Sequence, residues 1–374
     1  MSKLNVQKFQ PYNVVKPYYR TWAEAVAMPV DVFNFTGTTR NFTDATSFLA
    51  ALNAMQAGDW LRNTNTSGGF AVSGEFTGLA SRLPAADILI DLGRDANKVR
   101  FTGNGAGSGF PAVWLHDLKN LIILGGDITN LGNGGLLVHG GAAATDRVRW
   151  YDFVIHDIGG AGMSVLPTKP AGGGSTISNC IFRGELMRWG QDLSFDPHAE
   201  KGSGLHGCIT ADTVSSGQGG VTTNNLWMLY VHDGPTGAGF EMGQDTAGSP
   251  QGSIGSNRLF LRADNMTFHA LSQSGGNAVN LWGGIPIGLD IEFLEAKNLQ
   301  GRGINCHGLY NVPFSAVVGG GLVTVQHGRV IQACLNATQV ANEPEESGTN
   351  YYASQGGVTY RDCLQDSGRF DGSF

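Results

Sequence analysis

Apolar and polar positions along this chain recur over distances longer than one strand and shorter than one domain. Three segments align without a gap: Leu121 to Gly140, Val148 to Pro167 and Leu289 to Gly308, at offsets of 27 and 168 residues. Apolar residues fall in register at Leu121/Val148/Leu289, Ile123/Trp150/Ile291, Ile128/Ile155/Ala296 and Leu136/Met163/Ile304. Short alternating runs of this kind predict two or three strands per unit, each with one face inward. Between the strands, Asn130, Asp157 and Asn298 stand five residues before Gly135, Gly162 and Gly303. Asn and Asp tolerate left-handed backbone angles and Gly has no Cβ to clash there, so the turns are predicted to repeat with the strands.

Weaker copies extend the pattern. His232-Asp233 followed by Gly237 to Phe240 echoes His156-Asp157 followed by Gly160 to Met163, and Gly276 to Gly283 lies 25 residues before Gly301 to Gly308. A period near 25 without a helical segment or an LxxLxLxxN frame excludes a leucine-rich repeat and predicts an all-β, single right-handed parallel β-helix. A solenoid needs its open ends covered. Thr43-Asp44 followed by Ser47 to Ala57 reads as an N-capped amphipathic helix with Phe48, Leu49, Leu52 and Met55 on one side, running into a strand at Gly58-Asp59-Trp60-Leu61. The expected organisation is an N-terminal attachment segment over 1–43, a capping helix over 44–57, the β-helix over 58–338 and a C-terminal cap or tail over 339–374.

The helix, the Gly-Asp strand entry and the Asn/Gly coils together resemble the pectate-lyase-like parallel β-helix superfamily over roughly residues 44–338. That resemblance implies the fold; the superfamily hosts many functions. The chain shows neither the NTD and DD segments of polygalacturonases nor the vWiDH or RxPxxR stretches of pectate lyases.

Composition agrees with a turn-rich solenoid. Glycine makes up 56 of 374 residues, about 15 % against a usual figure of roughly 7 %. The apolar fraction of 41 % with only 13 prolines belongs to a folded chain. A net charge of −7 offers no attraction to nucleic acid or anionic lipid, and no apolar run reaches the ~20 residues of a membrane span. The N-terminus lacks the apolar stretch of a signal peptide, so a protein acting outside the cell is expected to leave without one. Five cysteines without CxxC spacing speak against a disulfide framework and a zinc site. His156 and His232 fall in equivalent columns about three coils apart, and His139 and His307 about seven, too far for shared metal ligation, so no metal centre is expected.

Candidate chemistry concentrates where the coils expand, because successive Gly anchors are farthest apart between Gly162 and Gly204. That interval holds Arg188, Trp189, Asp192, Asp196, His198, Glu200, Lys201 and His206, a density of ionisable groups unmatched in this low-charge chain. Asp192, Asp196, His198, Glu200 and Lys201 are the catalytic candidates. Two carboxylates facing one sugar serve in glycoside hydrolysis. A Lys or Arg base with a carboxylate-bound cation, Ca2+ if the chain is a lyase, abstracts the C5 proton of a uronate, as β-helix polysaccharide lyases do. A solvated loop or a subunit contact explains the same residues, and the spacing leaves these alternatives open. Arg188, Trp189, His206, Trp227 and Trp282 are the carbohydrate-binding candidates, with indole faces stacking on sugar rings. Trp150 is expected in the core and Trp227, next to Leu226, outward.

The architecture is similar to that of phage tailspikes, which are commonly trimers of such helices. The expectation is a virion tail protein that binds cell-surface polysaccharide, meets other tail proteins through its N-terminal segment, forms a homotrimer and uses no cofactor. Phe9, Tyr12, Tyr18, Tyr19 and Trp22 in that segment are aromatics outside the core, available for docking. A free polysaccharide lyase or glycoside hydrolase is the alternative, and a purely structural virion component a third.

Overall fold

The computed structural model describes residues 21–27, 36–73, 87–103, 111–132, 134–139, 143–166, 176–190, 209–212, 220–234, 238–244, 253–267, 276–283, 287–308, 323–335, 358–366 and 368–373. Their strands form two sheets, sheet 1 with 18 strands and sheet 2 with 7. Within both, each strand pairs in parallel with the equivalent strand of the next coil, apart from one antiparallel pair at the C-terminal end. This is a right-handed parallel β-helix, the hand that right-twisted strands impose on parallel crossovers.

One coil shows how the sequence closes the ring. Strand Thr145–Ile158 bends at Asp152, whose φ of 60° interrupts the register between Tyr151 and Phe153, so one run supplies two limbs of sheet 1. After Asp157, at φ 54°, the chain crosses to strand Met163–Leu166 of sheet 2. Left-handed residues recur at this corner as Arg188, Asp233, Asn265 and Asn298, with φ between 51° and 59°. Their side chains tie successive coils: Asn298 Nδ2 donates to Asn265 Oδ1 at 2.8 Å and Asn265 Nδ2 to Asp233 Oδ1 at 2.9 Å. Asn130 departs from its expected place in this series. It pairs with Ile158 rather than Asp157 and ends strand Asp127–Asn130, with its Oδ1 accepting from the Gly132 N–H.

The core is a stack of inward columns. One runs Leu61, Ile90, Ile123, Trp150, Phe182, Trp227, Leu259, Ile291, Val325 and Tyr360, all buried. Another holds Ile128, Ile155, Leu186, Val231, Ala263, Ala296 and Val330. The expected registers of Ile123, Trp150 and Ile291, and of Ile128, Ile155 and Ala296, are present. A buried polar ladder runs beside them: Cys180 N–H donates to Asn225 Oδ1 at 2.9 Å, and Asn225 N–H to Asn257 Oδ1 at 3.1 Å. Both asparagines are 1 % exposed, so these bonds satisfy groups that water cannot reach.

The two ends follow from local chemistry. Helix Ala45–Asn53 starts at Asp44, whose Oδ1 accepts from the Ser47 N–H, and buries Phe48 and Leu52 over the first coils; it ends earlier than the expected Ala57. The parallel sheet begins before this helix, with Thr39–Phe42 paired to Trp60–Asn63. Buried Asp59 joins the pieces by accepting from Arg40 Nε, Thr38 N–H and Gln56 N–H at 2.6, 2.8 and 2.8 Å. At the far end Val358–Gln365 adds in parallel to Val323–Gln326 and pairs antiparallel with Gly368–Ser373.

Sheet 1 also has an apolar stripe on its outer surface. Leu89, Ile122, Leu124, Tyr151, Ile181, Leu226, Met228, Phe260 and Phe293 form it, and Trp22, Val26 and Trp60 pack on it. Helix Trp22–Val26 lies there, with the Trp22 ring 6.0 Å from that of Phe293 and Arg183 Nη1 donating to the Val26 carbonyl at 3.3 Å. Trp22 therefore docks onto its own solenoid, whereas Phe9, Tyr12, Tyr18 and Tyr19 lie outside the described residues.

Candidate functional site

The expected catalytic residues Asp192, Asp196, His198, Glu200 and Lys201, with His206, lie outside the described residues. The chain on either side of them is described. It leaves at Gly190 and returns at Ile209, the first residue of strand Ile209–Asp212 in sheet 2.

An outward row runs along the outer face of sheet 2. Phe240 and Met242 point into the core with Val279, Leu281 and Ile304, so alternation turns Glu241, Asn280 and Asn305 outward. This first row continues in direct backbone register through Thr210 to Ser164. Asp212, Gly243, Trp282 and His307 hold the paired backbone positions beside it.

The first row is polar and buried. Glu241 is 4 %, Asn280 1 % and Asn305 6 % exposed. Asn305 Nδ2 donates to Asn280 Oδ1 at 3.1 Å, and Arg302, itself 1 % exposed, approaches Asn305 Oδ1 at 3.4 Å through Nη1. Arg302 N–H donates to Asn277 Oδ1 at 2.6 Å. Removing a carboxylate, a guanidinium and three amides from water is costly unless each is paired, so such a cluster is held by geometry rather than by solvent. Chemically it carries planar acceptors and donors of the kind that hydrogen-bond sugar hydroxyls.

The remaining candidates divide. Trp282 is paired in register with Gly243 and His307, and its side chain lies outside the described ones. Trp189 is 1 % exposed and packs over Gly234, where an added Cβ would stand 2.4 Å from its ring. Trp227, expected outward, is fully buried: it pairs with Phe182 in the Trp150 column, and Leu226 joins the outer stripe. The run Leu226 to Leu229 is apolar on both faces because the outer face is covered too, which erases the alternation that would have set the register. Neither Trp189 nor Trp227 offers a face to a sugar.

Arg188 is a corner residue. Its Nε and Nη2 donate to Asp157 Oδ1 and Oδ2 at 2.6 and 2.9 Å, which holds the Asp157 carboxyl well below the usual carboxylate range. His156 and His232 share a column through Met187, two coils apart rather than three. At ~4.8 Å per coil that is about 10 Å, still too far for one metal ion. His139 and His307 stand on sheet 2, five strands apart rather than seven.

Glu241, Asn280 and Asn305 were missed by the sequence reading. Their signal was present, since Asn305 and Ser164 directly follow the aligned column Ile304/Met163. Glu241 carried the same signal, since it follows Phe240 in the weaker copy as Ser164 follows Met163.

The chain is similar in fold to two solved structures. One is the pectate lyase Pel9A, at 12 % identity over 88 % of this chain and 76 % of that one, with a TM-score of 0.41. The other is an alginate lyase from Paenibacillus sp. str. FPU-7, at 11 % identity over 87 % and 98 %, with a TM-score of 0.33. The sequence matches no protein-family model and no curated protein.

Proposed function

We propose that this protein binds a bacterial cell-surface polysaccharide across the outer face of sheet 2, as a component of a bacteriophage tail. The observation that carries the binding reading is the polar row Glu241, Asn280 and Asn305. Its amides and carboxylate supply the hydrogen bonds that fix sugar hydroxyls. The tail reading rests on the solenoid architecture and the aromatic N-terminal segment. That segment attaches to other tail proteins, and three copies assemble side by side.

In a catalytic version of the reading, Asp196 and Lys201 carry out β-elimination on a uronate-containing glycan.

Screening purified bacterial surface polysaccharides for binding and for new reducing ends or unsaturated uronates tests both versions, with light scattering to count copies. The proposal expects a trimer that retains a polysaccharide. A monomer that depolymerises a uronate-containing glycan, inactive as Asp196→Ala and Lys201→Ala, would replace the tail reading with a free lyase.

A further inference from the structure

A separate cleft lies on sheet 1 near the N-terminal end of the solenoid. The outward row there is Ala71, Arg100 and Asp127, in direct register. Ala71 is small, so the row drops away beside Arg100. Gly69 lets the next coil close against the strand: a Cβ there would stand 2.5 Å from the Lys98 carbonyl oxygen and 3.1 Å from that of Ala96. The result is a cavity of ≈ 430 Å³ lined by Gly69, Ala71, Asp95, Lys98, Arg100 and Asp127, within the usual size range of small-molecule sites.

Its charged groups are unequally committed. Arg100 gives its Nε to Asp127 Oδ2 at 2.9 Å. Asp127, 4 % exposed, is held from its other side by His156 Nε2, 2.8 Å from Oδ1. His156 continues through Asp157 to Arg188, so Arg100 is the first member of a chain of alternating charges spanning four coils. That chain fixes the guanidinium while leaving its Nη groups without a partner among the described residues. Lys98, half-buried, has no ion pair among them either. Asp95 stands exposed on the rim, at φ 53°.

We propose that this cleft is an acidic-sugar site, which takes the carboxylate of a uronate residue between the Lys98 ammonium and the free edge of the Arg100 guanidinium. A planar carboxylate matches the guanidinium fork, which a positioned Arg presents without further ordering. Asp95 selects the rest of the ligand. It accepts hydrogen bonds from sugar hydroxyls and repels a second negative charge, so a monoanionic sugar fits where a phosphate dianion does not. The site stands on a different sheet from Glu241 and does not depend on that face binding anything.

Calorimetric titration of the full chain with glucuronate, glucose and inorganic phosphate tests it, using wild type, Lys98→Met, Arg100→Gln and the control Arg262→Gln. Glucuronate is expected to bind wild type and Arg262→Gln equally and to lose roughly tenfold or more in affinity in Lys98→Met, the loss of one charge-assisted contact. Arg100→Gln is expected to weaken binding as well. Lys98→Met removes no ion pair of the described fold, so an unchanged melting temperature separates lost binding from lost structure. No binding to wild type, unchanged affinity in Lys98→Met, glucose binding as tight as glucuronate, or phosphate binding tighter than glucuronate would each overturn the assignment.

Discussion

His156 Nε2 stands 2.8 Å from Asp127 Oδ1 on the preceding coil, and its Nδ1 stands 2.6 Å from Asp157 Oδ2 on its own corner. The same bracket recurs two coils on, where His232 faces Glu185 at 2.8 Å and Asp233 at 2.7 Å. These imidazoles are cross-ties between coils. The Asp127 carboxylate beside His156 raises the imidazole pKa above its ordinary value, and Asp157 adds to the effect against the opposing cost of burial.

A pH dependence follows with a definite sign. Because the folded pKa of His156 is raised, its contribution is fully present below the unfolded value of about 6.5 and disappears as pH rises through the folded value. The Asp157 carboxyl is lowered by Arg188, and that of Asp127 by His156 and Arg100 despite burial, so their contributions are present above about 3.9 and lost as pH falls through the folded values. Thermal melts are expected to peak between the two limbs. In His156→Gln the alkaline loss should vanish; an identical alkaline limb in that variant would show that the tie contributes nothing.

The buried tryptophans separate from Trp282 by mutation. Trp227→Ala removes a fully buried ring and is expected to cost about 3–5 kcal/mol in urea unfolding, and Trp227→Phe much less, since Phe182 already occupies the same column. Trp282→Ala is expected to weaken polysaccharide binding. The reverse pattern would return Trp227 to the outer surface.

Gly184 marks a contact the fold does not relax. A Cβ there would lie 2.3–2.6 Å from ring atoms of Phe153, which is 1 % exposed and paired to Gly184 across the coils. Gly184→Ala is expected to destabilise the protein by about 1–3 kcal/mol. Unchanged denaturant midpoints would mean that the Phe153 ring moves freely.

Asn225 is expected to behave as a structural group. Its side chain serves Cys180 N–H, the Ile177 carbonyl and Asn257, so Asn225→Leu strands several buried partners and should cost on the order of 1–3 kcal/mol or more. Glycan binding by the folded fraction should be unaffected, which a titration of the refolded variant checks.

The sequence carried the coil and its inward columns because apolar period and turn chemistry agree there: Leu121/Val148, Ile123/Trp150 and Leu136/Met163 are all paired as their alignment implies. It failed where one face is not clearly polar. Leu226 and Trp227 were exchanged because the outer stripe under Trp22 is also apolar. Asn130 was placed at a left-handed corner because Asn serves equally well at the turn that it occupies. The ion-pair chain from Arg100 to Arg188 joins residues on four coils and has no local signature, and the buried row at Glu241 appears only once strands of different coils are laid side by side.

The central claim is that polysaccharide binds at Glu241 on sheet 2. Its most direct test is the affinity of a binding polysaccharide for Glu241→Gln, compared with wild type, Trp282→Ala and the sheet 1 variant Arg262→Gln, each checked for an unchanged melt. Losing one charge-assisted hydrogen bond is expected to cost roughly tenfold or more in Glu241→Gln, with a loss in Trp282→Ala and none in Arg262→Gln. Equal affinity in wild type, Glu241→Gln and Trp282→Ala, all folded, would contradict it.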